Sequence, residues 1–248
     1  MRIAAIYDIH GNLPALEAVL GDVRRAGVDL VVMGGDVCPG PMCAESLACL
    51  RALDLPTRFI RGNGDRQTLA LASGEAVVGV PEVYLPAMRW VASQLDAEAL
   101  SVIAEWPETL AIETENFGRV LFCHATPQSD TPIFTRLTAE ERLTPLFEAT
   151  GADVVVCGHT HMQFDRMVGS VRVVNAGSVG MPFQEAGAYW LLLGPGVQLR
   201  KTTYDLEKAA ALVRRTTFPR ADEFAARNIL QPPTEAATLE AFKNAELK

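Results

Sequence analysis

The sequence predicts an α/β fold with either one mixed sheet or two packed sheets, and three observations lead there. Short apolar runs of β type alternate with helical periodicity over the first half of the chain. Further strand-like runs crowd the second half, so the order is β/α units first and β-rich sequence later. The chain has 248 residues, 49% of them hydrophobic, which permits a substantial core without disulfides or structural metals and excludes a disordered class. We read residues 1–248 as one domain, with a helical region at about 65–108 and a helical tail at about 205–248.

Ile3 to Tyr7 is a short apolar run and reads as the first strand. The loop Asp8-Ile9-His10-Gly11-Asn12 follows. Leu16, Val19, Leu20 and Val23 then recur on one helical face, with Pro14 suited to the first turn and Gly27 to the end. Leu30 to Met33 reads as a buried strand ahead of Gly34-Gly35-Asp36, and Ala44 to Leu53 as a helix. Thr57 to Ile60 is a third strand, followed by Arg61-Gly62-Asn63-Gly64-Asp65. Residues 66–108 are mostly helical in pattern, with a turn-rich stretch from Gly79 to Pro86. Thr109 to Thr114 and Arg119 to Cys123 form a hairpin pair, and His124 comes directly after it. Glu140 to Thr150 is helical, and Asp153 to Cys157 is a strand that runs into Gly158-His159-Thr160-His161. Val171 to Val174, Ala188 to Leu193 and Val197 to Tyr204 are expected as antiparallel strands. Pro219 and Pro232-Pro233 break the helical tail.

The formal net charge of −8 argues against a nucleic-acid partner, and no basic stripe with interleaved aromatics occurs. No apolar run approaches the roughly 20 residues a membrane helix needs. Only Arg2 precedes the first run and Asp8 cuts it short, so no signal peptide is expected. Cys38, Cys43, Cys49, Cys123 and Cys157 are odd in number and contain no CxxC pair; reduced thiols in a cytoplasmic protein are the simplest reading. The sequence is compatible with a homo-oligomer.

Five strands end in a polar, metal-competent residue. Asp8 and His10 follow the first, Asp36 the second, Asn63 the third, His124 the fourth, and His159 with His161 the fifth. Ligands of open α/β sheets bind beyond the carboxyl ends of the strands, so these side chains are expected to converge on one sheet edge. Two carboxylates, four imidazoles and an amide would make a binuclear metal site. The mixture suits Mn, Fe, Co, Ni or Zn better than Ca or Mg. Gly34, Gly35, Gly62 and Gly158 precede these candidates, as a sharp turn close to a metal requires.

These motifs, Asp8-Ile9-His10, Gly35-Asp36, Gly62-Asn63, His124 and Gly158-His159-Thr160-His161, resemble the calcineurin-like metallophosphoesterase superfamily in order and spacing across residues 5–180. The run from Asp8 to Asn12 and Asn175-Ala176-Gly177-Ser178-Val179 look like its compact prokaryotic phosphodiesterase branch. The resemblance implies two packed mixed β-sheets flanked by α-helices. It implies one divalent metal on Asp8, His10, Asp36 and His161, a second on Asp36, Asn63, His124 and His159, and Asp36 as the bridge. Mn²⁺ is the first choice, with Fe, Ni, Co or Zn as alternatives. The implied activity is hydrolysis of phosphoesters by a metal-bridging hydroxide, on a small phosphoester or nucleotide. A catalytically weak metal-binding scaffold of the same fold is the alternative. Residues 205–248 lie outside the resemblance.

One position departs from the family pattern. The superfamily usually carries a His after the Gly-Asn pair, where it assists the leaving group; here Gly64 stands in its place. All four histidines are already assigned to metals. General acid catalysis typically contributes 10²–10⁴-fold, on the order that the chemistry on poor leaving groups is expected to lose. Asp65 and Arg66 are the candidate compensating residues, Arg66 by holding a phosphate oxygen, and Asn12 is a helix cap expected to border the phosphate. Substrate choice is expected to reside in residues 38–47, 65–108 and 125–135.

Overall fold

The computed structural model describes residues 1–247 and contains two five-stranded mixed sheets packed face to face. In the first sheet, β1 (Ile3–Ile6), β2 (Leu30–Met33) and β3 (Thr57–Phe59) are parallel. Antiparallel β9 (Ala188–Leu193) and β10 (Val197–Thr202) complete it on the other side of β1. In the second sheet, β5 (Gly118–Cys123), β6 (Val154–Cys157) and β8 (Val171–Asn175) are parallel, with β4 (Thr109–Thr114) and β7 (Phe164–Val168) antiparallel at its edges.

Strand periodicity explains the layering. Successive side chains point to opposite faces. Ile3, Ala5 and Tyr7 therefore enter the layer between the sheets, where they meet Phe122, Val156 and Val174. Ala4 and Ile6 point the other way, against α1 (Leu13–Ala26), α2 (Cys43–Arg51) and α7 (Leu206–Arg214). The second sheet turns Cys123, Val155 and Val173 outward against Leu143 and Phe147 of α6 (Glu140–Glu148). Both faces of each sheet are covered, so the central strands read as continuous apolar runs rather than alternating ones. Across the inter-sheet layer the Tyr7 hydroxyl donates to the Val156 carbonyl at 3.0 Å.

Helix ends follow the sequence signals. Asn12 caps α1 by accepting from the Ala15 N–H, Pro14 lies in the first turn, and Gly27 closes it in the left-handed conformation. The 65–108 region contains α3 (Asn63–Ala72), a 3₁₀ turn at Glu82–Tyr84, α4 (Leu85–Gln94) and α5 (Ala97–Ala104). The tail continues after α7 with α8 (Ala221–Phe224), a π-helical turn at Ala225–Leu230 and α9 (Glu235–Phe242), with the breaks at Pro219 and Pro232-Pro233.

Two expectations need correction. The sequence reading has no strand at Phe164–Val168, which is β7, and β8 pairs parallel to β6 rather than only antiparallel. The residues that follow the five strands also leave two sheets, not one. Asp8, His10, Asp36 and Asn63 come from the first, His124, His159 and His161 from the second.

Candidate metal centre

Parallel strands end at the same edge of their sheet, and the face-to-face packing brings the two edges together. Asp8 Oδ1 lies 3.3 Å from His161 Nε2, 3.8 Å from His124 Nε2 and 3.9 Å from His10 Nε2. Asp36 Oδ2 lies 3.5 Å from His124 Nε2 and 3.7 Å from His10 Nε2. Two overlapping clusters result, Asp8 with His10 and His161, and Asp8 with Asp36 and His124. The Asn63 amide reaches the second cluster from the start of α3. Its inward-facing end is 3.1 Å from His124 Nε2 and 2.9 Å from His159 Nδ1.

The backbone is bent to achieve this. Asp8, His10, Asp36, His159 and His161 all have positive φ, between 46° and 65°. Side chains disfavour this left-handed region, each such residue costing about 1–3 kcal/mol, and it persists where surrounding structure enforces it. Asp8 accepts from the His159 N–H at 2.9 Å through Oδ2, and Asp36 accepts from the Gly64 N–H at 2.7 Å through Oδ1. One oxygen of each carboxylate is thereby fixed and the other is left facing the cluster.

Each imidazole is aimed in the same manner. The Nδ1 atoms of His10, His124 and His161 lie 3.1, 2.9 and 2.7 Å from the carbonyls of Pro39, Gly34 and Met181. A proton on Nδ1 satisfies each carbonyl and leaves Nε2 as a lone pair pointing inward. His159 is reversed: its Nε2 bonds the Thr131 carbonyl at 2.9 Å, which turns Nδ1 inward.

This donor set fits divalent cations. In neutral rings so aimed, His10 Nε2 and His161 Nε2 present lone pairs to each other at 3.2 Å, and the buried Asp8 Oδ1 has no hydrogen-bond partner among the described residues. Donors that each sit about 2.0–2.2 Å from one ion stand roughly 3–4 Å apart, the spacing seen here. Charge points the same way. For Asp8, burial opposes ionisation, but His161 and His124 outweigh it and hold the carboxyl below its usual range. For His124, burial opposes protonation, yet Asp36 and Asp8 push the imidazole up to about 10. Burial, with His124 beside it, lowers His159 to about 4. The two buried carboxylates thus recruit positive charge, which a divalent ion would supply in place of a proton.

The remaining sequence candidates lie elsewhere. Asp65 is fully buried, and its carboxylate accepts from the N–H groups of Asp36, Cys38 and Gly62 at 2.8, 3.0 and 3.1 Å. Burial and the Asp36 carboxylate raise it to about 7, against the pull of the Cys38 and Gly62 N–H groups. It ties the turns after β2 and β3 together and does not reach the clusters. Arg66 points outward into a bidentate pair with Asp130, at 2.7 and 2.8 Å. Asn12 is spent on Ala15, Gly180 and Tyr204, so its amide does not border the clusters. Gly64 has no room for a side chain, since a Cβ there would lie 2.4 Å from the Cys38 carbonyl oxygen and 2.7 Å from Pro39 Cδ.

Supporting residues were not legible as such. Asn175 holds the Gly158 carbonyl and Thr160 hydroxyl, and the Ser178 hydroxyl donates to the Asp8 carbonyl at 2.8 Å. Both fall in the run that carries the branch resemblance, which is the one signal that pointed to them.

A family model for the calcineurin-like phosphoesterase superfamily domain matches residues 1–194. The chain belongs to that superfamily. An uncharacterized protein of Methanocaldococcus jannaschii is 26% identical over 238 residues, 88% of this chain and 93% of the relative. Among solved structures, a hypothetical protein from Pyrococcus horikoshii aligns with a TM-score of 0.77 at 19% identity, over 94% of this chain and 99% of that one. A metallophosphoesterase from Sphaerobacter thermophilus aligns at 0.70 and 24% identity, over 96% and 99%. At these identities the two structures establish a shared fold. Membership in the superfamily makes this chain a phosphoesterase-family protein with candidate metal ligands in place. No helix among the described residues is long and apolar enough to cross a membrane.

Proposed function

We propose that the protein is a binuclear metal-dependent phosphoesterase that hydrolyses phosphodiesters or activated phosphoesters in preference to simple alkyl monoesters. The observation that carries this reading is the convergence of seven donors from two sheets, five of them on left-handed backbone. Asp8, His10, Asp36 and His161 would hold one ion, and Asp36, Asn63, His124 and His159 the other. Bound divalent ions would activate a water as nucleophile and neutralise the phosphate oxygens. The chain supplies the alignment. Gly64 and His159 N–H groups fix the carboxylates, the four carbonyls fix the imidazoles, and Asp65 fixes the turn that presents Asp36.

With glycine at position 64, no imidazole of this chain is left to protonate a leaving group, so good leaving groups are favoured. The same glycine favours a rival reading, a metal-binding scaffold of negligible turnover. A kinetic screen separates the two. The chelated protein should be inactive toward bis(4-nitrophenyl) phosphate and regain turnover with Mn²⁺, faster on this diester than on 4-nitrophenyl phosphate. Absence of metal-dependent turnover on both esters would leave the scaffold.

A further inference from the structure

A cavity of about 570 Å³ opens directly onto the candidate metal centre, with His10, Asp36 and Asn63 in its floor. That size suits a small organic ligand. Its far wall comes from outside the residues matched by the family model. Phe218, Phe224, Arg227 and Asn228 of the tail line it, facing Tyr84 from the turn before α4. The tail is anchored, because Phe218, Phe224 and Ile229 are buried in the core beneath the first sheet's helices. Its π turn, closed by the Gln231 N–H to the Ala226 carbonyl at 2.9 Å, presents the consecutive side chains Arg227 and Asn228 to the cavity.

The chemistry of this wall is uneven. Arg220 is neutralised by Glu223 and lies over one face of the Tyr84 ring, 4.6 Å from its centroid. Tyr84 nonetheless stays 45% exposed, so ring surface remains open. Arg227 has no carboxylate partner and Asn228 no hydrogen bond among the described residues. The open face of Tyr84, a free guanidinium and a free amide can together hold a planar heterocycle, by stacking and by hydrogen bonds to its edge. Continuity with the floor sets where the rest of that molecule lies: its phosphate must sit at the metal centre.

We propose that residues 218–233, together with Tyr84, form a specificity wall that selects phosphoesters carrying a nucleoside, with Arg227 and Asn228 reading the base. The proposal rests on the phosphoesterase reading above and adds the substrate class. The reaction is ordinary hydrolysis: water forms a new P–O bond, the scissile P–O bond breaks, and the leaving oxygen keeps the electron pair.

The experiment compares two diesters with a common leaving group, thymidine 5′-(4-nitrophenyl phosphate) and methyl 4-nitrophenyl phosphate, under Mn²⁺. The thymidine ester should be preferred about tenfold or more in kcat/KM, about 1.4 kcal/mol, mainly through KM. Arg227→Ala and Tyr84→Ala should each bring that ratio toward one. A ratio near one in the parent protein, or one unchanged in both variants, overturns the proposal. Calorimetric titration with thymidine 5′-monophosphate against inorganic phosphate gives a readout without turnover. Nucleotide binding at least about tenfold tighter than phosphate, weakened by Arg227→Ala, supports the wall even if neither ester is hydrolysed. In that outcome the hydrolase reading fails alone. Equal binding of the two anions sinks the wall alone when turnover persists.

Discussion

The floor and the wall of the cavity are built on opposite plans. In the floor each imidazole has its second nitrogen bonded to a carbonyl, and each carboxylate has one oxygen held by an N–H. The backbone beneath Asp8, His10, Asp36, His159 and His161 is forced into left-handed conformations. In the wall, Arg227 and Asn228 carry no such restraint, and nearby Val78 is 90% exposed. Chemistry at phosphorus tolerates little displacement of its donors, whereas recognition of an organic group can be met by side chains that adjust. The difference teaches that restraint in this fold follows the candidate metal ligands.

Three substitutions break or sharpen that contrast. The largest effect belongs to the centre of the floor. Asp36→Asn should cut kcat/KM on bis(4-nitrophenyl) phosphate by about 10³-fold, about 4 kcal/mol of lost stabilisation. Metal content by elemental analysis should fall with it while circular dichroism stays native. Full metal retention would show that Asp36 does not bridge two ions.

Next comes Gly64, where the floor has no slack. Gly64→His should destabilise by roughly 1–3 kcal/mol, because a Cβ meets the Cys38 carbonyl oxygen and Pro39 before the ring is placed. Restoring the family's usual residue should therefore lower the melting temperature and fail to raise monoesterase activity. A gain in activity at unchanged stability would mean that the loop after β2 yields readily.

The smallest effect is expected at the rim. Arg66 is 44% exposed at the side chain and paired with Asp130, and exposed pairs contribute about 0–1 kcal/mol. Arg66→Ala should change kcat/KM by less than about fivefold, which is that same energy. A loss comparable to that of Asp36→Asn would show that the pair opens to let the guanidinium reach phosphate.

The parts legible in the sequence share one property: their signal is local. β1, β2, β5 and β6 are covered on both faces, so they read as apolar runs, and the polar residue right after each run stands out. Gly35, Gly62 and Gly158 mark the same turns because a Cβ there would strike Gly62, Asp36 or Asp8. β7 gave no such signal, since only Phe164 and Val168 are buried and Asp165 pairs with Arg172 at the surface. Asp65, Arg66 and the contacts of Asn12 beyond its cap of α1 were harder still. What each does is set by Gly180, Cys38 or Asp130, partners far away in the chain. The wall was beyond reach for that reason too, because nothing in residues 218–233 announces that they fold over Asn63.

Sharing the donors between two sheets has a practical corollary. Asp8 and His10 belong to one layer and His161 to the other, so a cation can be gripped only when the layers are docked in register. Ion uptake by a sample would therefore gauge how the sandwich is closed, a property that spectra of backbone content do not register. A preparation with every strand formed but its halves slipped by a few ångströms would pass a circular-dichroism check and still lack a place for any ion.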